Sequence, residues 1–293
     1  MEKKDLNSLG SIIVILAAGA GIGYAGSSGG TKVFGNFPLF AFNIMIAFII
    51  QWVMFIHAYV NETEKYYDLT GSITYITITI LSVTLSPNID TRSLILMSLV
   101  LIWAFRLGSY LFRRILRSGK DKRFDEIKKS PLRFLNTWTL QGLWVSLTIA
   151  AAMAAITAQK RVDLGAIGII GLIIWIIGFA FEAIADYQKN KFIKNPKNEG
   201  KFINVGLWSI SRHPNYFGEI TMWVGIAVIA LPTLEGLRFV SLISPVFVAF
   251  LIIKISGVPK LEEYADNKWG GQEDYEEYKE NTPVLIPKLK FSK

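Results

Sequence analysis

The sequence predicts an all-α polytopic membrane protein with seven to eight transmembrane helices, cytoplasmic loops and a cytoplasmic C-terminal tail. Three observations lead there. Hydrophobic residues make up 52% of the 293, and the mean hydropathy of +0.38 lies outside the range of water-soluble domains. Apolar runs of about 20 residues, the length that crosses a bilayer, recur along the chain. The basic residues gather in a few connecting loops, which is a topology signal.

The spans are read in order as 8–27, 38–60, 70–87, 93–112, 136–157, 164–187, 214–232 and 238–257. The first lacks a small-residue cleavage pattern followed by a soluble domain, so it is expected to be retained. The last two are separated by Leu231, Pro232 and a short polar turn, as in a helical hairpin. After the fourth span come Arg113, Arg114, Arg117, Lys120, Lys122, Arg123, Lys128, Lys129 and Arg133. The sixth is followed by Lys189, Lys191, Lys194, Lys197, Lys201 and Arg212. The opposite loops offer Lys32, Arg92, Lys160, Arg161 and Arg238, spread more thinly. The positive-inside rule then places both termini in the cytoplasm, with the chain integral to the cell membrane. Residues 258–293 are expected to form tail helices about a Gly270–Gly271 turn, and 1–293 to form one integral membrane domain.

Composition also limits the chemistry. No cysteine means no disulfide, and two histidines exclude a His-rich structural metal site. No metal is expected. The net charge of +8 is assigned to topology, so the expected partners are membrane lipids and a lipid-soluble small molecule, with no nucleic acid.

Charges near hydrocarbon stay where they face a partner, a cavity or a ligand. On the fourth span Arg106, Tyr110, Arg113 and Arg117 share one helical face. The outer arginines, with Arg114, also suit snorkelling to the interface, whereas Arg106 sits a turn or two inside. On the sixth, Glu182 and Asp186 lie one turn apart with Lys189 next on that face. They either pair with neighbouring cations or orient polar groups of a ligand. The stretch SRHPNYFGE, residues 211–219, opens the seventh span. Pro214 suits a first helical turn, whose free N–H groups together with Arg212 and His213 outline an anion site. Asn215 and Glu219 share a face, and Gly218 admits a close approach by another backbone or a flat ligand.

The order of RLGSYLFRRILRSGKDKR, FEAIADYQK, GLWSISRHPNYFGE, LEEYADNKWG and DYEEYKENTPVLIP, with YYDLTGS before them, resembles a bacterial branch of the steroid 5-alpha-reductase superfamily. The resemblance covers about 66–287. It implies a membrane-embedded enzyme that uses NADPH to reduce a C=C bond conjugated to a carbonyl in a hydrophobic substrate. Asn215 and Glu219 match the family's Asn-x-x-Gly-Glu motif, the Asn as a cofactor contact. Asp186 matches the acid that looks toward the nicotinamide nucleotide, and Arg113 a cofactor-facing position. Arg117, Glu182, Lys191, Arg212, His213, Tyr216, Glu262 and Tyr275 are the further cofactor-binding candidates. The steroid enzymes hold the substrate ketone with a Gln-Glu pair and a Tyr. Here the pair is missing, Arg106 stands at the Tyr position, and Asp68, Thr70 and Ser72 supply nearby polar groups for substrate. Arg106, Tyr110 and Glu219 are the catalytic candidates, the first two as donors to the enolate.

Arg212, His213, Pro214, Tyr216 and Gly218 are also similar to the Arg-His-Pro-x-Tyr-x-Gly motif of isoprenylcysteine carboxyl methyltransferases. Glu262, Glu263, Tyr275 and Tyr278 fit that family's later Glu-Glu and Tyr-x-x-Tyr. This alternative implies S-adenosylmethionine in an equivalent pocket. Glu219 directly after Gly218, the LTGS stretch and the long basic loop favour the reductase.

Overall fold

The computed structural model describes residues 3–288. Helices account for nearly all of them. The chain order is α1 (Lys3–Ser27), a two-stranded hairpin of β1 (Lys32–Val33) and β2 (Phe37–Pro38), α2 (Leu39–Val60), α3 (Tyr67–Thr84), α4 (Thr91–Ser118) and α5 (Pro131–Ile156). Then follow α6 (Gly165–Lys194), α7 (Pro214–Ala230), α8 (Ile243–Phe250), α9 (Val258–Trp269) and α10 (Glu273–Asn281). Among the described residues, seven helical stretches are long and apolar enough to cross a membrane. The fold class is therefore as the sequence predicts.

The predicted third span is the exception. α3 has 18 residues and carries five threonines and two serines. Their hydroxyls bond back to the preceding turn: Thr70 donates to Tyr66 O at 2.7 Å, Thr74 to Thr70 O at 2.7 Å and Ser82 to Ile78 O at 2.7 Å. This satisfies the hydroxyl within its own helix. The predicted eighth span is also not one regular helix. It runs as a 3₁₀ segment Gly236–Leu242, then α8, then a π-helical turn Leu251–Ile255. Pro245 near the start of α8 cannot donate to the ladder. α4 and α6 extend beyond their apolar stretches into the basic segments, whose Arg and Lys are good helix formers. α4 stops at Gly119, with φ 77°.

By internal contacts the chain divides into two compact units, one of residues up to 168 with 229–244, the other of 169–228 with 245 onward. The first is built on α5. Its apolar stretch is 78% buried, against 50% or less in every other span, so α5 is the axis around which α1, α2 and α3 pack. The run Ala150–Ala155 lets those neighbours close in, and Phe40, Ile44 and Phe48 of α2 fill the space beside Met153 and Ala154. Two buried polar rungs cross from α2 to α3: Asn43 Nδ2 donates to Ser82 Oγ at 2.8 Å, and Gln51 Nε2 to Thr74 Oγ1 at 2.9 Å.

In the second unit, α6 and α7 touch backbone to backbone. A Cβ placed on Gly218 would lie 2.5 Å from Gly178 O and from Glu182 N; one on Gly225 would lie 2.6 Å from Trp175 N. Gly218 thus serves the backbone approach, not a flat ligand. Gly218→Ala is expected to lower the melting temperature in detergent, by about 1–3 kcal/mol of overpacking. Gly21→Ala in α1, where a Cβ meets nothing within 4 Å, should leave it unchanged or raise it.

Candidate functional site

The start of α7 is held by two segments of the second unit. From α6, Gln188 Oε1 accepts from Leu207 N at 2.9 Å, and Ala185 O accepts from the Trp208 indole at 3.1 Å. Gly206, with φ +62°, lets the loop turn against Gln188. From the tail, Pro283 O accepts from Arg212 N at 2.9 Å, Leu285 O from Ser211 Oγ at 2.8 Å, and Lys288 N donates to Ile210 O at 2.9 Å. The tail helices form where predicted, with Gly271 in the left-handed region between α9 and α10. They enclose Phe202 among Trp269, Tyr275 and Tyr278.

Glu262 of α9 is the centre of this arrangement. Its Oε1 lies 2.7 Å from His213 Nε2, and its Oε2 lies 2.9 Å from Arg212 Nη1. The second contact is off the line of the N–H, so it is an ion pair more than a hydrogen bond. The His213 ring is 4% exposed and stacks on Tyr216. Four buried polar atoms at this helix start have no hydrogen-bond partner among the described residues: Arg212 Nε and Nη1, His213 Nδ1 and Asn215 Oδ1. Buried polar atoms are rarely left so without a role.

Of the other predicted residues in this unit, Glu182 is buried where α6 meets Gly218, and Asp186 and Glu219 are half-buried. Lys191 is exposed, on the rim of an open depression of about 350 Å³ with Tyr187, Asn190 and Lys194. Tyr275 is buried, and its hydroxyl donates to Asp266 Oδ1 at 2.9 Å. Tyr278 donates to Trp208 O at 2.7 Å. Burial raises the phenol pKa of both, with the Asp266 carboxylate adding to the effect at Tyr275, so both stay neutral donors.

In the first unit, Arg106 is half-buried, and Tyr110, Arg113 and Arg117 are exposed. Asp68 is 3.4 Å from Arg114, a partner the sequence reading had left at the interface. Thr70 and Ser72 are buried and donate to carbonyls of α3 itself. Sequence reasoning missed Gln188, Trp208 and Phe202. The Gly-Leu-Trp turn was the available signal for the first two.

The family described as a protein of unknown function, DUF1295, matches residues 54–282. The chain belongs to this family. It lies within the steroid 5-alpha-reductase-like superfamily, as the motifs around Asn215 and Glu219 led one to expect. A protein of Ustilaginoidea virens, described as probable O-methyltransferase ustE, is 32% identical over 101 residues, 33% of this chain and 32% of that protein. The chain thus spans about a third of the length of this curated relative. No solved structure matches.

Because the Glu262 carboxylate meets both the Arg212 guanidinium and the His213 ring, Glu262→Gln should destabilise the protein by about 2 kcal/mol. Tyr278→Phe removes one neutral hydrogen bond and should cost about 1 kcal/mol. Thermal melts of the two variants, with limited proteolysis of the tail, check both.

Proposed function

We propose that the protein is a membrane-embedded, NADPH-dependent reductase of a C=C bond conjugated to a carbonyl in a hydrophobic substrate, steroid-like or another lipid. The observation that carries this is the set of unpartnered buried atoms at the start of α7, in a chain of the steroid 5-alpha-reductase-like superfamily. Asn215 Oδ1 is an acceptor suited to a carboxamide N–H. Arg212 Nε and the helix N-terminus suit an anion. A nicotinamide dinucleotide brings both kinds of group, so these residues fit it.

In this reading Asn215 and Glu219 hold the nicotinamide end, with Glu182 and Asp186 on the neighbouring helix. Arg212 and His213, braced by Glu262 and Tyr216, receive phosphate, and Lys191 adds positive charge from the basic segment after α6. When bound, NADPH supplies the hydride. Arg106 and Tyr110 donate to the substrate carbonyl oxygen and stabilise the charge that develops there. The basic loops and both termini face the cytoplasm, the side from which a dinucleotide arrives.

A second reading has its own observation. The matched relative is described as a probable O-methyltransferase, and Glu262 joins Arg212 and His213, residues that the methyltransferase motif shares. A carboxylate and an ammonium on S-adenosylmethionine would meet the same atoms.

Purified protein in detergent separates the two. NADPH should raise the melting temperature more than NADH or S-adenosylmethionine, by an amount equal to about 2.7 kcal/mol at a hundred times its Kd. Preferential stabilisation by S-adenosylmethionine would replace the reductase with the methyltransferase. In the same protein, Glu219→Gln should weaken NADPH binding with the fold intact. Arg106→Met should keep NADPH affinity while turnover falls about 10²–10³-fold, as when a transition-state donor is removed. A fall in melting temperature with unchanged turnover would instead make Arg106 a structural partner of an acid.

A further inference from the structure

We propose that the first unit carries a binding site for a phosphoryl anion, built around the buried Arg238 where α1 and α5 end. This is independent of the reaction proposed above.

At that end of the bundle the chain is pinned by Thr31 N donating to Thr157 O at 2.8 Å and by a bridge between Gly30 and Ala158. The 3₁₀ segment Gly236–Leu242 packs against α1 and α5 there. Arg238 projects from it and is only 2% exposed. Its Nη2 donates to Thr157 Oγ1 at 2.7 Å and its Nη1 to Gly29 O at 3.3 Å, both neutral acceptors. Its Nε has no partner, and no carboxylate lies within ion-pair distance of it among the described residues.

A guanidinium has five N–H donors and keeps its charge at any physiological pH. Arg92, equally buried at 1% exposure, shows what a purely structural arginine looks like in this fold. It is surrounded by the carbonyls of Val162, Asp163, Leu164 and Ile229, and staples segment ends together. Arg238 has no such shell. It lines a cavity of about 190 Å³ with Ser28, Lys160, Thr233 and Glu235, floored by the turns at Gly29 and Gly236, both at positive φ. Glu235 makes no ion-pair contact with Arg238. It is paired with Lys160 at 2.7 Å, and both are exposed at the mouth. Arg161, donating to Ile156 O beside Thr157 and to Ser93 Oγ, is paired with Asp90 at 3.8 Å and so is not the free cation here.

The geometry points to an anion as the missing partner, because a buried cation without one is costly and a guanidinium fork matches phosphate oxygens. The cavity is below the about 300 Å³ at which sites for drug-sized ligands begin, which suits one phosphoryl group and not a nucleotide. Membrane-spanning helices end here, so a lipid headgroup and free phosphate both present that chemistry.

The test uses full-length protein in neutral detergent at constant ionic strength. Melting temperature is followed against inorganic phosphate in one arm, and against phosphatidylglycerol or phosphatidylcholine mixed micelles in another. The expected result is a saturable rise with phosphate or phosphatidylglycerol, the arm that responds naming the source. It should be lost in Arg238→Gln and kept in Lys32→Gln, an exposed lysine of β1. Should Arg238→Gln fail to fold, Lys160→Gln decides, with binding expected to weaken about tenfold. Absence of a rise in the wild type in both arms overturns the site. So does an equal rise in Arg238→Gln, or unchanged affinity in Lys160→Gln where that variant decides.

Discussion

Where α6 crosses α7 there is no room for a side chain. Gly178, Gly218 and Gly225 bring the two backbones so close that a Cβ on any of them would lie within 2.7 Å of a backbone atom of the other helix. In lipid, helices gain little by hiding apolar surface from water, so close packing of small residues is a main source of association. The crossing also fixes the chemistry. Glu182 is held against Gly218, one residue before Glu219 and a turn after Asn215. Wider spacing would separate the acids of α6 from the polar first turn of α7.

Around that crossing the second unit behaves as a chain of braces. Gln188 and Ala185 hold the loop before α7, the tail holds Ile210, Ser211 and Arg212, and Glu262 holds Arg212 and His213. Most polar atoms here have protein partners. That makes the atoms of Arg212, His213 and Asn215 that lack a hydrogen bond informative, because the surroundings are rigid enough to have satisfied them.

The first unit handles polarity differently. The threonines and serines of α3 bond back along their own chain, while Asn43 and Gln51 reach across from α2 to α3. These bonds leave few hydroxyls of α3 to act outward. Thr70 and Ser72, attractive in sequence as polar residues near a membrane helix, are donors already engaged. Arg92 and Arg238, similar in sequence, differ in the number of acceptors around them.

Much of the organisation was legible before any coordinates. The order of the membrane helices, with their number as seven to eight, the start of α7 at Pro214, the tail helices about Gly270–Gly271 and the superfamily all follow from hydropathy, helix-boundary residues and short motifs. These are local properties, set by adjacent residues and by the length of a bilayer. The partners were not legible. That Glu262 would join Arg212 and His213 across about fifty residues, that Gly218 would meet a backbone, and that Asp68 would meet Arg114 depends on which helix faces cross. A charged or small residue carries the same hydropathy whether it faces ligand, lipid or another helix. Only the tertiary structure, by exhausting the partners of some and leaving others unmet, separates them.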